Sequence, residues 1–325
     1  LAMLPTWGDK WNKKWGVGPE VFTPQNARIY GRWLAQRFLD RDVIWVLGGD
    51  RPIETDLHRQ ITNELALGLR EIHGGRQLMS YHPWGASHSS TWLHQEAWLD
   101  FNMIQSGHKR NRPNWEMISK DYALSPTKPC LDAEPGYEDH PDDFDINKGF
   151  LDEWEVRKAA YRSVFAGALG HTYGCHAVWQ MAQPSFDPIN NPLRTWMDSM
   201  SRPGAVQMGH MRRLMESRTP LTRIPDQSLL AMDPGAEAKH VRACRCAKGS
   251  WAMIYAPLPT EIKVNPASLA GSDLQAWWFD PRSGLAEEIG QFKKTALPSF
   301  HSPGMGPDWI LVLDDSSAGF GRPGR

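Results

Sequence analysis

Two short apolar segments of the chain each end in carboxylate side chains. The first, 43–47, is followed by two glycines and then Asp50, and the second, 129–131, is followed by Asp132 and Glu134. Carboxyl groups at the ends of two strands suit glycosidic bond cleavage, because one group donates a proton while the other attacks the sugar or activates water. An acid in this position is also a common helix cap, so each segment taken alone leaves both interpretations open.

The aromatic content favours carbohydrate as the ligand. The chain has 16 Trp and 12 His among its 325 residues. Flat indole rings stack on sugar faces, although Trp also fills protein cores. Four Trp residues lie in loops that follow predicted strands, and we predict that they bind substrate by stacking: Trp7, Trp11, Trp84 and Trp179.

Other side chains near the predicted strand ends can hydrogen-bond to sugar hydroxyls or to the acids. We predict substrate-binding roles for Arg51, His82, Gln105, His108, Tyr137 and His171, with His176 as a further candidate. An ion pair between Arg51 and Glu54 is the structural alternative for that arginine. Histidines at strand ends also bind metal ions, but no His-x-His motif opens a predicted strand, so we predict no metal and no cofactor.

Charge and hydropathy exclude several classes of partner. The chain has 36 basic and 37 acidic residues and a net charge of -1. A nucleic-acid or anionic membrane partner normally requires a basic excess, and a membrane span requires about 18 consecutive apolar residues. Four cysteines form neither a disulfide framework nor a zinc pattern. We therefore predict no nucleic-acid and no membrane partner.

Strand-like and helix-like patterns alternate as far as residue 217. Helical spacing begins at Thr23-Pro24 and recurs over 56–72, around 114–122, over 153–169 and over 203–217. Predicted strands lie between these helices, at 43–47, 77–80, 101–104, 129–131 and 171–178. This alternation predicts a parallel sheet. In a (β/α)8 barrel the strand ends converge on one face, which would collect the candidate residues in one site.

The number of strands falls short of a full barrel. Six strand units are visible, because 1–5 is also strand-like, and a barrel needs eight. We expect the first two βα units to be missing before Leu1, with strands three to eight present. A doubly wound open sheet is the alternative, but no Gly-rich phosphate loop follows a strand.

The pattern changes after about residue 225. Short alternating runs at 241–246, 250–255, 275–279 and 309–313 predict a small antiparallel β-sandwich. Our predicted domains are therefore 1–217, the barrel, and 218–325, the sandwich. A structural role is expected for the sandwich, with carbohydrate binding through Trp277 or Trp278 as the alternative, since alternation places one of these two rings inward.

Specific stretches of the chain resemble the apiosidase-like glycoside hydrolase family. They are Leu4-Pro-Thr-Trp-Gly-Asp-Lys-Trp-Asn-Lys-Lys-Trp-Gly16, Trp45-Val-Leu-Gly-Gly-Asp-Arg51, Phe101-Asn-Met-Ile-Gln-Ser-Gly-His108, Leu131-Asp-Ala-Glu-Pro-Gly-Tyr-Glu138 and Gly170-His-Thr-Tyr-Gly-Cys-His-Ala-Val-Trp179. The segment Ala276-Trp-Trp-Phe-Asp-Pro-Arg-Ser-Gly284 resembles the β-sandwich, labelled as collagen-binding, that often follows this barrel.

The resemblance implies a (β/α)8 barrel with the acid/base and the nucleophile at the ends of strands four and seven. These positions correspond to Asp50 as general acid/base and Glu134 as nucleophile of a retaining hydrolase. Asp132, two residues before Glu134 and on the same strand face, is the rival nucleophile.

The resemblance also implies a substrate class and a location. Family members act on plant cell-wall glycans, including apiose-linked side chains of the pectin rhamnogalacturonan II, and are exported to the periplasm or the outside. A degenerate barrel that binds glycan without cleaving it, and a metal-dependent barrel hydrolase, are the alternatives.

Overall fold

A computed structural model describes residues 1–325, which form two compact units. The first unit consists of 1–106 and 120–133, and the second of 107–119 and 134–325. The fold is α/β, followed by a β-rich C-terminal region. No helix is both long enough and apolar enough to cross a membrane.

The first unit is built from short strands with helices between them. Its strands are β1 (Ala2–Met3), β2 (Ile44–Leu47), β3 (Met79–Tyr81), β4 (Ser87–His88), β5 (Asn102–Gln105) and β6 (Cys130–Asp132). Its helices are α1 (Pro24–Arg37), α2 (Asp56–His73) and α3 (Ser90–Leu93). Strands β1, β2 and β3 pair in parallel in that order. β5 pairs in parallel with β6 and antiparallel with β4.

Helices α1 and α2 pack closely against each other, because two glycines lie where they cross. A Cβ on Gly31 would lie 2.5 Å from the Leu65 carbonyl oxygen, and one on Gly68 would lie 2.3 Å from the Arg28 carbonyl oxygen. A threonine caps each helix, and its hydroxyl accepts a backbone N–H from the first turn. Together the two helices cover a core that contains the fully buried Trp45 of β2.

The second unit combines helices with a large antiparallel sheet. Helix α4 (Asn114–Tyr122) begins in the second unit and ends in the first, and the helices that follow it are α5 (Glu153–Phe165), α6 (His176–Trp179), α7 (Trp196–Ser199) and α8 (Pro203–Glu216). The strands are β7 (Gly170–His171), β8 (Arg223–Pro225), β9 (Arg242–Cys246), β10 (Trp251–Ala256), β11 (Glu261–Ile262), β12 (Asp273–Asp280), β13 (Leu285–Lys293), β14 (Phe300–His301) and β15 (Trp309–Asp315).

Six of these strands form one antiparallel sheet in the order β13-β12-β15-β10-β9-β8, while β11 and β14 pair separately. One face of the six-stranded sheet packs on α5 and α8 through side chains such as Trp277, and the other face packs a separate core that contains Trp278. Both Trp rings are therefore buried, since both faces of β12 are covered. Neither ring is the exposed sugar platform that the binding-module alternative needs.

Most predicted elements agree with the structure, and one is wrong. The predicted strand at 171–178 is only the two-residue β7, and the chain then turns into the short helix α6. The sequence pattern did not reveal this change, because a run of eight residues is compatible with either a strand or a short helix. The boundary at 217/218, and the numbering of the strands as three to eight of a barrel, stay predictions.

Candidate functional site

Asp50 lies at the end of a strained turn that follows β2. Gly48, Gly49 and Asp50 all have positive φ, at 101°, 66° and 61°. A Cβ on Gly48 would lie 2.3 Å from the His82 carbonyl oxygen, so this position requires glycine. A non-glycine residue at positive φ costs free energy, and such strain is concentrated at functional sites.

His82 follows the neighbouring strand β3 and lies beside Asp50. Its backbone N–H donates to the Leu47 carbonyl oxygen over 2.7 Å, which continues the pairing of the two strands. A ring nitrogen of His82 and a carboxylate oxygen of Asp50 are within 4.8 Å of each other. The structure thus brings together two of the predicted site residues in the first unit.

Arg51 is fully buried and organises the loops around this turn. Its Nε donates to the Asn12 carbonyl oxygen over 2.8 Å, and its Nη1 donates to the Asp50 carbonyl oxygen over 2.9 Å. The alternative pairing with Glu54 does not form, since Glu54 pairs with Lys14. This burial favours a structural role for Arg51, and its contact with substrate stays a prediction.

The predicted Trp platforms of the first unit differ in exposure. Trp7 is half exposed, whereas Trp11 is buried edge-on against His58. Trp84 stacks on Trp15, with ring centroids 5.8 Å apart and planes 11° apart. Sequence reasoning missed Trp15, although its place in the series Trp7, Trp11, Trp15 was a usable signal. Burial argues against stacking by Trp11, whose role in substrate binding stays a prediction.

The ends of β5 and β6 carry three buried polar residues of the first unit. The Asp132 side chain is fully buried, and the Ser106 hydroxyl lies 2.9 Å and 3.1 Å from its two carboxylate oxygens. Gln105 is also buried. Since Asp132 is enclosed and already held by a hydroxyl, its surroundings suit a supporting acceptor better than a nucleophile.

Glu134 belongs to the second unit, where His108 holds its carboxylate. The His108 Nε2 atom lies 3.0 Å from Glu134 Oε1. The Glu134 side chain is 18% exposed and that of His108 is 8% exposed. Gly107, at a φ of 81°, donates its backbone N–H to the Glu134 carbonyl oxygen over 2.9 Å. This turn places the imidazole beside the carboxylate.

His108 begins a row of three imidazole rings, which we call the imidazole ladder: His108, His140 and His176. The His108 and His140 rings stack with centroids 4.1 Å apart, and His140 meets His176 edge-on at 4.5 Å. Tyr137 makes a T-shaped contact with His108, with ring centroids 4.5 Å apart. The half-exposed Trp179 donates its indole N–H to His176 Nδ1 over 3.2 Å. The ladder therefore joins Glu134 to a Trp at the surface of the second unit.

His171 is not part of this ladder. Its Nδ1 lies 2.9 Å from the Ser163 hydroxyl of α5. The ring is partly buried and directed toward that helix. A substrate-binding role for His171 stays a prediction, as do those of the other residues named from the sequence.

Family profiles match nearly the whole chain. The profile described as "Apiosidase-like, catalytic domain" matches residues 1–222, and the one described as "Putative collagen-binding domain of a collagenase" matches residues 224–314. The chain belongs to the apiosidase-like glycoside hydrolase family. None of the curated proteins matches it.

Two solved structures support this membership of the apiosidase-like family. One is described as a glycoside hydrolase family 5 protein from Bacteroides vulgatus ATCC 8482; it is 31% identical over 99% of this chain and 72% of its own chain, with a TM-score of 0.90. Another, described as a glycoside hydrolase, is 31% identical over 97% of this chain and 73% of its own, with a TM-score of 0.89. The chain therefore has the architecture of glycoside hydrolases.

His140 is a second residue of this apiosidase-like protein, after Trp15, that sequence reasoning missed. It follows Tyr137 by three residues in a Pro- and Asp-rich stretch that gives no strand signal. Its Nδ1–H donates to the Pro141 carbonyl oxygen over 2.7 Å, and burial lowers the pKa of His140 to about 3. The ring in the middle of the ladder is therefore neutral near pH 7.

Acidification is expected to destabilise this apiosidase-like protein through His140. An unfolded histidine gains a proton below about pH 6.5, whereas folded His140 stays neutral down to about pH 3. The unfolded state thus binds more protons in this window, so stability falls as the pH falls, by up to about 1.4 kcal/mol per pH unit for this residue. We expect His140→Gln to show a shallower decrease in urea-unfolding free energy between pH 6 and pH 4.

The exposed His301 provides the matched control for that comparison. His301→Gln is expected to keep the parental dependence of unfolding free energy on pH. If His140→Gln also kept the parental pH dependence of the unfolding free energy, the neutral, buried state of His140 would be excluded.

Proposed function

We propose that the chain hydrolyses O-glycosidic bonds of a plant cell-wall glycan with net retention of anomeric configuration. Glu134 is the nucleophile and Asp50 the general acid/base. The observation that carries the proposal is the Glu134 carboxylate held at 3.0 Å by the buried His108 within an apiosidase-like catalytic domain. A partly exposed carboxylate with a fixed hydrogen-bond partner suits attack on a sugar.

The reaction has two steps in this proposal. Asp50 protonates the leaving oxygen while a Glu134 oxygen attacks the anomeric carbon, which gives a covalent glycosyl-enzyme. Asp50 then takes a proton from a water molecule as the water oxygen attacks the anomeric carbon; the bond to Glu134 breaks, the sugar leaves and both carboxyl groups are restored. We propose that His82, which has a ring nitrogen within 4.8 Å of a carboxylate oxygen of Asp50, orients that group during both transfers.

A (β/α)8 barrel is the architecture that we propose for the α/β part. The parallel pairs β1-β2-β3 and β5-β6, with helices α1 and α2 between strands, fit this architecture. In such a barrel the carboxyl ends of the strands carry the catalytic residues, and Asp50 and Glu134 both follow a strand end.

We further propose that the substrate is a pectic side chain, with apiose linkages of rhamnogalacturonan II as the first candidates. The stacked pair Trp15 and Trp84 and the half-exposed Trp7 supply flat rings for sugar faces. Because a cell-wall polymer lies outside the cell that degrades it, we propose a secreted or periplasmic location.

The proposal is tested by incubating the chain with rhamnogalacturonan II, other pectic oligosaccharides and xylan oligosaccharides as non-pectic controls. We expect release of a monosaccharide from a pectic substrate, with the first product seen by proton NMR in the anomeric configuration of the substrate. Activity in the presence of EDTA is expected to be unchanged. A product of opposite configuration would refute retention, and loss of activity with EDTA would favour a metal-dependent hydrolase.

A further inference from the structure

We infer that His108 is the positioning residue of the nucleophile, fixing one carboxylate oxygen of Glu134 while the imidazole ladder fixes His108. This inference rests on the proposed role of Glu134. The sequence offered His108 either as a contact for sugar hydroxyls or as a hydrogen-bond partner of the acids, and its 3.0 Å contact with Glu134 favours the second.

The hydrogen bond itself has a defined direction. An ionised carboxylate only accepts hydrogen bonds, so the Nε2 atom of His108 carries the proton and donates to Glu134 Oε1. Hydrogen bonds to a charged acceptor are stronger than neutral ones and hold the acceptor in one orientation. The bond to Oε1 therefore fixes the orientation of the carboxylate that attacks the anomeric carbon in the proposed reaction.

The His108 ring is held on several sides, which makes it a rigid donor. His140 covers one face of it, and Tyr137 and Phe144 make T-shaped contacts with it, at centroid distances of 4.5 Å and 5.5 Å. The Asp143 backbone N–H donates to the His108 carbonyl oxygen over 2.7 Å. The ring therefore has little freedom to leave Glu134.

The support continues behind Tyr137. A Cβ on Gly174 would lie 2.0 Å from the Tyr137 ring, so the absence of a side chain at Gly174 lets that ring pack directly on the backbone. At the far end of the ladder, His176 Nε2 lies 3.1 Å from the Ile189 carbonyl oxygen, while its Nδ1 accepts from Trp179. Both ends of the ladder are thus anchored in the second unit.

A small displacement of a reacting group is costly, because about 1 Å of misplacement lowers a rate by up to about 100-fold. His108→Phe keeps an aromatic ring on His140 but removes the donor, and we expect its kcat to fall about 10- to 100-fold with KM within about threefold. His108→Gln places an amide N–H near the position of Nε2, so we expect it to recover kcat to within about fivefold of the parent. A residue that only fills space would give the opposite order, with Phe the better substitute.

The kinetics are measured on the cleaved substrate from the screen, with His301→Gln as a surface control of unchanged activity. In the Glu134→Gln background, adding His108→Phe is expected to cause no further loss of kcat. Loss in that background, or a His108→Phe variant with parental kcat, would overturn the positioning role. Full activity of Glu134→Gln alone would instead overturn the proposed function, so the two failures are distinguishable.

Discussion

Glu134→Gln is expected to lower kcat on the order of 10⁴- to 10⁶-fold, the range seen when the nucleophile of an acyl-transfer enzyme is removed. The amide is nearly isosteric with the carboxylate but cannot form the covalent intermediate. Its side-chain oxygen still accepts the Nε2–H of His108, which lies 3.0 Å from Oε1 in the parent. We therefore expect the affinity for an oligosaccharide, measured by calorimetry, to stay within about threefold of the parent.

Asp50→Ala serves as the comparison, because the fall in rate on removing a general acid depends on the leaving group. With an aryl glycoside whose phenol leaves without protonation, the first step is expected to survive in Asp50→Ala and to stay absent in Glu134→Gln. With a sugar leaving group, the kcat of Asp50→Ala is expected to fall about 10²- to 10⁴-fold. If the two variants showed the same dependence on leaving group, the division of roles between Asp50 and Glu134 would be wrong.

Asp132→Asn tests the rival nucleophile in the same assay. Asp132 is fully buried against the Ser106 hydroxyl, and an asparagine oxygen can still accept from that hydroxyl. We expect Asp132→Asn to stay within about 100-fold of the parental kcat. A complete loss in Asp132→Asn, together with an active Glu134→Gln, would transfer the nucleophile role to Asp132.

The sequence predicted the strand ends because their physics is local. An apolar run followed by glycines shows where β2 stops, and Thr23-Pro24 shows where α1 starts. The end of β2 and the start of α1 can both be recognised from neighbouring residues alone, without knowledge of distant ones. Asp50 and Glu134 were therefore visible as candidates from short segments alone.

The sequence offered His108 as one of several possible hydrogen-bond partners of the acids, but it did not show that His108 contacts Glu134. His108 and Glu134 are 26 residues apart, and their contact requires the positive φ of Gly107 and its hydrogen bond to the Glu134 carbonyl oxygen. His140 contacts His108 only because the loop after Glu134 folds back onto it. Periodicity carries no information about such loops, so the imidazole ladder appears only in three dimensions.

The burial of Trp277 and Trp278 shows a related limit. Alternation correctly placed the two rings on opposite faces of β12, but it says nothing of what covers each face. The face of Trp277 is covered by α5 and α8, which precede it by tens of residues in the chain. A pattern within one strand cannot reveal a partner so distant in sequence.

That covered face contains a buried ion pair between Arg157 and Asp308. Arg157 of α5 donates through Nε and Nη2 to the two carboxylate oxygens of Asp308, over 3.0 Å and 2.7 Å. Its Nη1 donates to the Gln207 side-chain oxygen of α8 over 2.7 Å, and the Tyr255 hydroxyl of β10 donates to Asp308 over 3.1 Å. The Asp308 carboxylate thus joins α5 to β10, and the Arg157 guanidinium joins α5 to α8.

Asp308→Ala is expected to lower the free energy of unfolding by about 3–5 kcal/mol, because it leaves the guanidinium of Arg157 buried without its counter-charge. Urea unfolding followed by circular dichroism measures this loss. The control is Asp273→Ala, which breaks the more exposed pair with Lys293 and should cost at most about 1 kcal/mol. Adding Arg157→Met to Asp308→Ala removes the unpaired charge, so the double variant should be more stable than Asp308→Ala alone. A double variant as unstable as the sum of the two single variants would show that the stability comes from packing around these positions and not from pairing of the charges.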